Sequence, residues 1–186
     1  MERMKFAVLD VETTEGDPTR GRVMEVAVLA LNGSEERLRW DTLVQPRCRV
    51  PRFIQKLTGI EDSMLLGAPT FSGTVRTIET LTQDRIVVAH NVRFDMTALA
   101  HEFARTGLVF ERSTLCTERL GRRLVHNLDH YNLGSLCRYF GISLVGAHRA
   151  MADAEATAEL LKKYIAHFGA DEVMASVVPI TRAMRA

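Results

Sequence analysis

A chain of 186 residues with 46% hydrophobic and 25% charged side chains has the composition of an ordinary globular protein, long enough for one domain with a real core. Its formal net charge of +1 argues against a polycation held on nucleic acid by bulk electrostatics. Cys48, Cys116 and Cys137 contain no Cys-x-x-Cys pair, which argues against a disulfide scaffold and a zinc site and points to a reducing, cytoplasmic compartment. Arginine outnumbers lysine 20 to 4 among the 24 basic residues; coding bias produces this as readily as phosphate binding does.

In chain order, residues 6–11 read as a short buried strand, apolar on both faces until Asp10. That acid ends the apolar run far too early for a signal peptide or a membrane span, so no membrane partner is expected. Gly16, Pro18 and Gly21 mark a turn-rich loop, after which residues 23–31 form a nearly continuous apolar strand covered on both faces. Asn32-Gly33 is a hairpin signal, and in the return strand Leu38, Trp40, Thr42 and Val44 alternate with Arg37, Arg39 and Asp41 as a half-buried strand would.

Residues 46–68 are short and mixed, with Thr58-Gly59-Ile60 as a turn between helical pieces. Residues 71–81 carry helical spacing. Residues 85–90 form another buried strand leading into a helix that Gly107 closes, and residues 108–116 are the best candidate for a fifth strand. Helices follow near residues 118–124 and 133–140. The last runs over residues 150–168, with Asp153 and Glu155 near its start and Lys162, Lys163 and His167 near its end, as the helix dipole favours. A meander followed by alternating helices and strands gives an α/β chain with a mixed five-stranded sheet.

Asp10 and Glu12 share a face of the first strand, about 7 Å apart along the chain, and no Lys or Arg lies between Phe6 and Arg20. Such a pair is either the solvated end of a strand or a site that holds a cation. Asp95 and Asp153 read individually as helix-start acids, His148 as a solvated loop residue, and His90 and Asn91 as residues that satisfy a strand-to-helix turn.

Together, Asp10-x-Glu12, His90-Asn91-x-x-Phe94-Asp95 and His148-x4-Asp153 resemble the DnaQ-like 3′–5′ exonuclease family in its DEDDh branch. Val23-Met24-Glu25-Val26, Leu57-Thr58-Gly59-Ile60, Tyr131 to Leu136 and His148 to Thr157 extend the resemblance over nearly the whole chain. It implies an RNase H-like exonuclease domain over residues 1–169, with residues 170–186 as a short C-terminal extension. It implies two divalent cations, Mg²⁺ or Mn²⁺, with Asp10, Glu12 and Asp153 holding one and Asp10 and Asp95 serving the second. His148 would be the general base, and Thr13, Thr14, His90, Asn91 and Phe94 would contact substrate.

The expected reaction is release of nucleoside 5′-monophosphates from single-stranded DNA 3′ ends. Glu12-Thr13-Thr14 and the run from His148 look like the proofreading exonucleases of bacterial replicative polymerases, which makes a DNA polymerase a candidate partner. The family commonly has Gly directly after the two threonines; here Glu15 stands there and Gly16 follows. The 18 residues after Phe168 are short for a polymerase-binding extension, so a stand-alone nuclease or an excised domain is expected. The rivals are the same chemistry on RNA and a catalytically silent polymerase-accessory or nucleic-acid-binding domain. The second would be expected to have lost an acid or the histidine, and all are present.

Overall fold

The first two apolar runs pair with each other. In the computed structural model, which describes residues 4–180, β1 (Lys5–Thr13) and β2 (Val23–Asn32) lie antiparallel, with Phe6 opposite Leu31 and Glu12 opposite Glu25. Gly33 turns the chain at φ +61°, a conformation open to glycine without strain, and β3 (Glu35–Leu43) returns antiparallel to β2. β4 (Ile86–Ala89) pairs parallel to β1, and β5 (Thr114–Cys116) parallel to β4, so the sheet order is β3-β2-β1-β4-β5.

Period-two alternation along β1 sorts the core into two layers. Ala7, Leu9 and Val11 join Val26, Val28 and Val87 under α3 (Phe71–Thr82) and α4 (Val92–Arg105). Phe6 and Val8 join Ala27, Leu29, Val88 and Leu115 under α5 (Thr117–Leu124), α6 (Leu133–Phe140) and α7 (Ala150–Phe168). Asp10 and Glu12 continue that second face, so α7 is the layer laid over them. A smaller cluster of Val50, Ile54, Ile60 and Leu65 fastens α1 (Arg52–Thr58) and α2 (Asp62–Leu65) to Met24 at the start of β2.

Three elements differ from the sequence expectation. β3 is the edge of the sheet and half-buried only in its second half: Trp40 and Thr42 are partly buried and Val44 fully, but Leu38 is 45% exposed, and the charges of Glu35, Glu36, Arg37 and Arg39 discourage another edge from pairing there. The fifth strand is only Thr114–Cys116, not residues 108–116. Phe110 instead stacks on Phe103 at 4.6 Å and Arg112 bonds Glu79 and Thr82, so these side chains pin a loop to α3 and α4. After Gly169 an additional helix, α8 (Ala170–Met174), buries Val173 beside α7, and Val178 exchanges two backbone hydrogen bonds with Thr114 on β5.

Gly121 permits the close approach of α5 to α6 and α7. A Cβ there would lie 2.5 Å from the Tyr164 hydroxyl and 3.0 Å from Leu136 Cδ1, both in fully buried side chains. Alanine in a helix interior ordinarily gains about 1 kcal/mol over glycine, but overpacking a core costs about 1–3 kcal/mol. Gly121→Ala is therefore expected to lower stability, read as a drop in urea midpoint; a midpoint at or above wild type would show that the two helices can separate freely.

Candidate active site

β1 delivers two carboxylates to its C-terminal end, and two helices bring one more each. A cleft of about 410 Å³ there is lined by Asp10, Glu12, His90, Asn91, Phe94, Asp95, Leu133, His148 and Asp153, with Val11. This is the carboxyl edge of the parallel strands β1 and β4, where open α/β sheets bind ligands. A larger depression of about 850 Å³ lies at the other end of the sheet, but there Arg85 is already bonded to Leu31 O and Asn32 Oδ1, and Arg112 to Glu79.

Asp95 and Asp153 do not act as simple helix-start charges. Asp95 sits in the first turn of α4, is buried, and accepts a hydrogen bond at 3.1 Å from Val11 N–H across on β1. Asp153 sits in the first turn of α7 and accepts at 3.0 Å from His148 N–H in the preceding loop. Each acid thus ties its helix to another segment of the cleft. Asn91 and His148 adopt φ +62° and +65°, unfavourable for residues with a Cβ, so two of the five non-glycine residues with left-handed backbone among those described stand beside the acids.

The electrostatics are adverse throughout. Burial raises the Asp10 carboxyl well above its ordinary range, and Asp95, Glu12, Asp153 and Glu25 add repulsion in that order. Burial, then Asp153 and Glu25, raise Glu12 to about 7, against a counter-pull from Arg149. Burial raises Asp95 well above its usual range despite hydrogen bonds from its own N–H and that of Val11, with Glu12 and Asp153 adding to the rise. Asp153 is raised by burial too, and His148 opposes that rise. Hard oxygen donors pressed together in this way fit divalent cations. Glu12, Asp153 and His148 each offer a ligand atom, all within 4.8 Å of one another.

Of the remaining expected residues, His90, Asn91 and Phe94 line the cleft, while Thr13 and Thr14 do not. Thr13 Oγ1 donates to Glu15 O at 2.6 Å and Thr14 Oγ1 accepts from Arg22 N–H at 3.0 Å, so both hydroxyls shape the 15–21 loop. Glu15, in the place where the family commonly has glycine, pairs with Arg20 at 3.7 Å within that loop. His90 Nδ1 meets Thr117 Oγ1 at 3.0 Å, leaving Nε2 buried without a protein partner.

Sequence reasoning assigned no role to Glu25 and Arg149, which build the frame. Glu25 is buried directly across from Glu12, an arrangement that like charges resist. Arg149 takes up its charge with bonds from Nη2 at 2.7 Å and Nε at 3.1 Å, and Ala150 N–H donates to Oε2 at 2.8 Å. The start of α7 is thereby clamped to β2, which places His148 and Asp153 over Glu12. The signal was in the sequence, since Glu25 is the one acid in an otherwise apolar strand.

Raised carboxyl pKa values carry a sign. A carboxyl whose pKa is higher in the folded than in the unfolded protein favours folding when protonated, and that contribution fades as pH rises through the folded value. In EDTA, stability should therefore fall between about pH 5 and 7.5, the window set by Glu12 and its neighbours. Saturating Mn²⁺ should flatten the fall by binding only the folded state, and Asp10→Asn should reduce the fall in EDTA. Thermal melts across that range check this; stability in EDTA that rises with pH, with no effect of Mn²⁺, would mean that the acids are solvated and independent.

The RNase T-type exonuclease family model matches residues 7–161. The DNA polymerase III subunit epsilon of Aquifex aeolicus is 33% identical over 162 residues, 86% of this chain and 80% of that protein. A PolC-type DNA polymerase III from Caldanaerobacter subterraneus is 32% identical over 161 residues, 87% of this chain but only 12% of that protein. Among solved structures, the nuclease domain of 3′hExo, a DEDDh family member bound to rAMP, superposes with a TM-score of 0.80 at 16% identity, over 95% of this chain and 97% of that one, and carries the same RNase H-like fold. A family match over residues 7–161, with a 33% identical relative covered over 80% of its length, makes this chain a member of the RNase T-type exonuclease family.

Proposed function

We propose that the chain is a metal-dependent 3′–5′ exonuclease that shortens single-stranded DNA and releases nucleoside 5′-monophosphates. The observation that carries the reading is the convergence of four carboxylates from β1, α4 and α7 with their pKa values raised together. A site so arranged is electrostatically incomplete without cations, and its oxygen donors suit Mg²⁺ or Mn²⁺.

Asp10, Glu12 and Asp153 would hold one cation, and Asp10 with Asp95 the second. Bound there, the pair supplies Lewis-acid charge that makes water nucleophilic and neutralises charge developing on a phosphodiester. His148, exposed at the rim and tethered through its own N–H to Asp153, accepts the proton of the attacking water. Phe94 and Leu133 offer an apolar wall to the terminal nucleoside and Asn91 a polar group beside it, while His90, held by Thr117, shapes the floor of the cleft. Thr13 and Thr14 act through the loop that they hold in shape.

The polymerase subunits among the relatives support DNA as substrate and a DNA polymerase as partner. The solved relative bound to rAMP favours a second reading, the same reaction on RNA. Single-stranded DNA and RNA oligonucleotides labelled at either end, incubated with Mg²⁺, Mn²⁺ or EDTA, separate these. The expected result is stepwise release of mononucleotides from the 3′ end of DNA, abolished by EDTA. Initial release of a 5′ label, internal cuts as first products, or full activity in EDTA would overturn the reading, and a preference for RNA would select the second one.

His148→Ala should lower kcat by roughly 10²–10⁴-fold, the range for a positioned general base, with little change in oligonucleotide binding. Near-normal kcat would return His148 to the status of a loop residue.

A further inference from the structure

The charge of this chain is nearly balanced, yet one stretch of its surface is not. Between Asp41 and Glu61 there is no acid, while Arg47, Arg49, Arg52 and Lys56 are all exposed. None of these four takes part in an ion pair among the described residues, although nine arginines elsewhere do: Arg20, Arg22, Arg37, Arg39, Arg105, Arg112, Arg122, Arg123 and Arg149. Against a whole-chain net charge of +1, four unpaired cations on and just before α1 form a local positive surface.

The helix organises that surface. Arg52 and Lys56 are four residues apart and share one stripe, while Phe53 and Leu57 share the adjoining one. Ile54 and Thr58 are buried beneath, so the stripes cannot rotate inward. Phe53 is 66% exposed and Leu57 45%, so the helix presents an apolar stripe directly beside its cations. Cations flanking an exposed ring are the combination that holds single-stranded nucleic acid: phosphates on the charges, a base on the ring.

Its location fits. Ile54 and its cluster pack on Met24, the neighbour of Glu25, and Glu25 stands opposite Glu12. The positive surface therefore lies at the same end of the sheet as the carboxylates, on the face of β2 opposite to Glu25. Asp62, in the following helix, is already engaged by Val50 N–H at 2.9 Å.

Resting on the exonuclease reading of the cleft, we propose that the exposed face of α1, with its lead-in loop, is a second nucleic-acid contact. Arg47, Arg49, Arg52 and Lys56 bind backbone phosphates of the single strand upstream of the terminal nucleotide, and Phe53 stacks on one of its bases. The acidic cleft repels a polyanion, and this surface supplies the attraction that the cleft itself lacks.

The test compares Arg52→Gln/Lys56→Gln with a control pair, Arg76→Gln/Lys163→Gln, which removes the same charge from α3 and from the far part of α7. Two substrates are used: a 5′-fluorescein oligo(dT) and the nitrophenyl ester of thymidine 5′-monophosphate, which has no upstream strand. For the α1 pair, oligo(dT) affinity by anisotropy should fall severalfold, and the slope of log affinity against log salt should flatten by about 0.7 per cation removed. Ester turnover should be unchanged, and the control pair should match wild type on both substrates. Phe53→Ala should weaken oligo(dT) binding by about fivefold or more without altering the salt slope. Unchanged oligo(dT) affinity in the α1 pair, or an equal loss in the control pair, would overturn the proposal. Failure of the exonuclease reading shows separately, as wild type that binds oligo(dT) yet hydrolyses neither substrate.

Discussion

The mutual repulsion of carboxylates at the C-terminal end of β1 is the constraint around which the rest is arranged. Asp10 and Glu12 lie on the face of β1 covered by α7, where burial and the charges of neighbouring carboxylates oppose ionisation. A fold tolerates such a cluster only if something holds it together by force. Part of that force is hydrophobic: the same face carries Phe6 and Val8 into a core with Leu160, Leu161 and Tyr164 of α7, so the helix that brings Asp153 is anchored well away from it. The rest is the Arg149–Glu25 clamp, which offsets part of the charge that stands directly across from Glu12 and ties the start of α7 to β2.

This division of labour explains why positions near the cleft break local rules. His148 and Asn91 hold left-handed backbone angles, His90 buries a ring nitrogen without a protein partner, and Glu25 is an acid inside a sheet. Each would be a fault in a scaffold selected for stability alone. They cluster at one end of the sheet, while the opposite end is satisfied by Arg85 and Arg112.

Much of this was legible beforehand, for identifiable reasons. Continuous apolar runs marked β1, β2 and β4, and Asn32-Gly33 marked the hairpin, because these signals are local. The order of the acids along the chain was legible too, but their meeting was not, since Val11 N–H reaching Asp95 across 84 residues leaves no trace in spacing. β5 was overdrawn because Leu108, Val109 and Phe110 look like a strand, yet Val109 is 76% exposed and Phe110 is spent on Phe103. α8 was missed because Gly169 reads as a stop, whereas at φ +88° it turns the chain so that Val173 returns to the core. For Thr13 and Thr14 the resemblance implies substrate contact, and spacing gives no sign that their hydroxyls are bonded within the 15–21 loop.

The central claim is that the four acids form one cation cage whose protons and metals compete. Calorimetric titration of Mn²⁺ into the metal-free protein, repeated in buffers of different ionisation enthalpy, tests it directly, because ligands must deprotonate to bind metal. The account predicts two ions per chain with net proton release, larger near pH 6 than near pH 8 because Glu12 is held up to about 7. Asp10→Asn should abolish the tighter binding event. No measurable Mn²⁺ binding, or binding without proton release at either pH, would contradict the account.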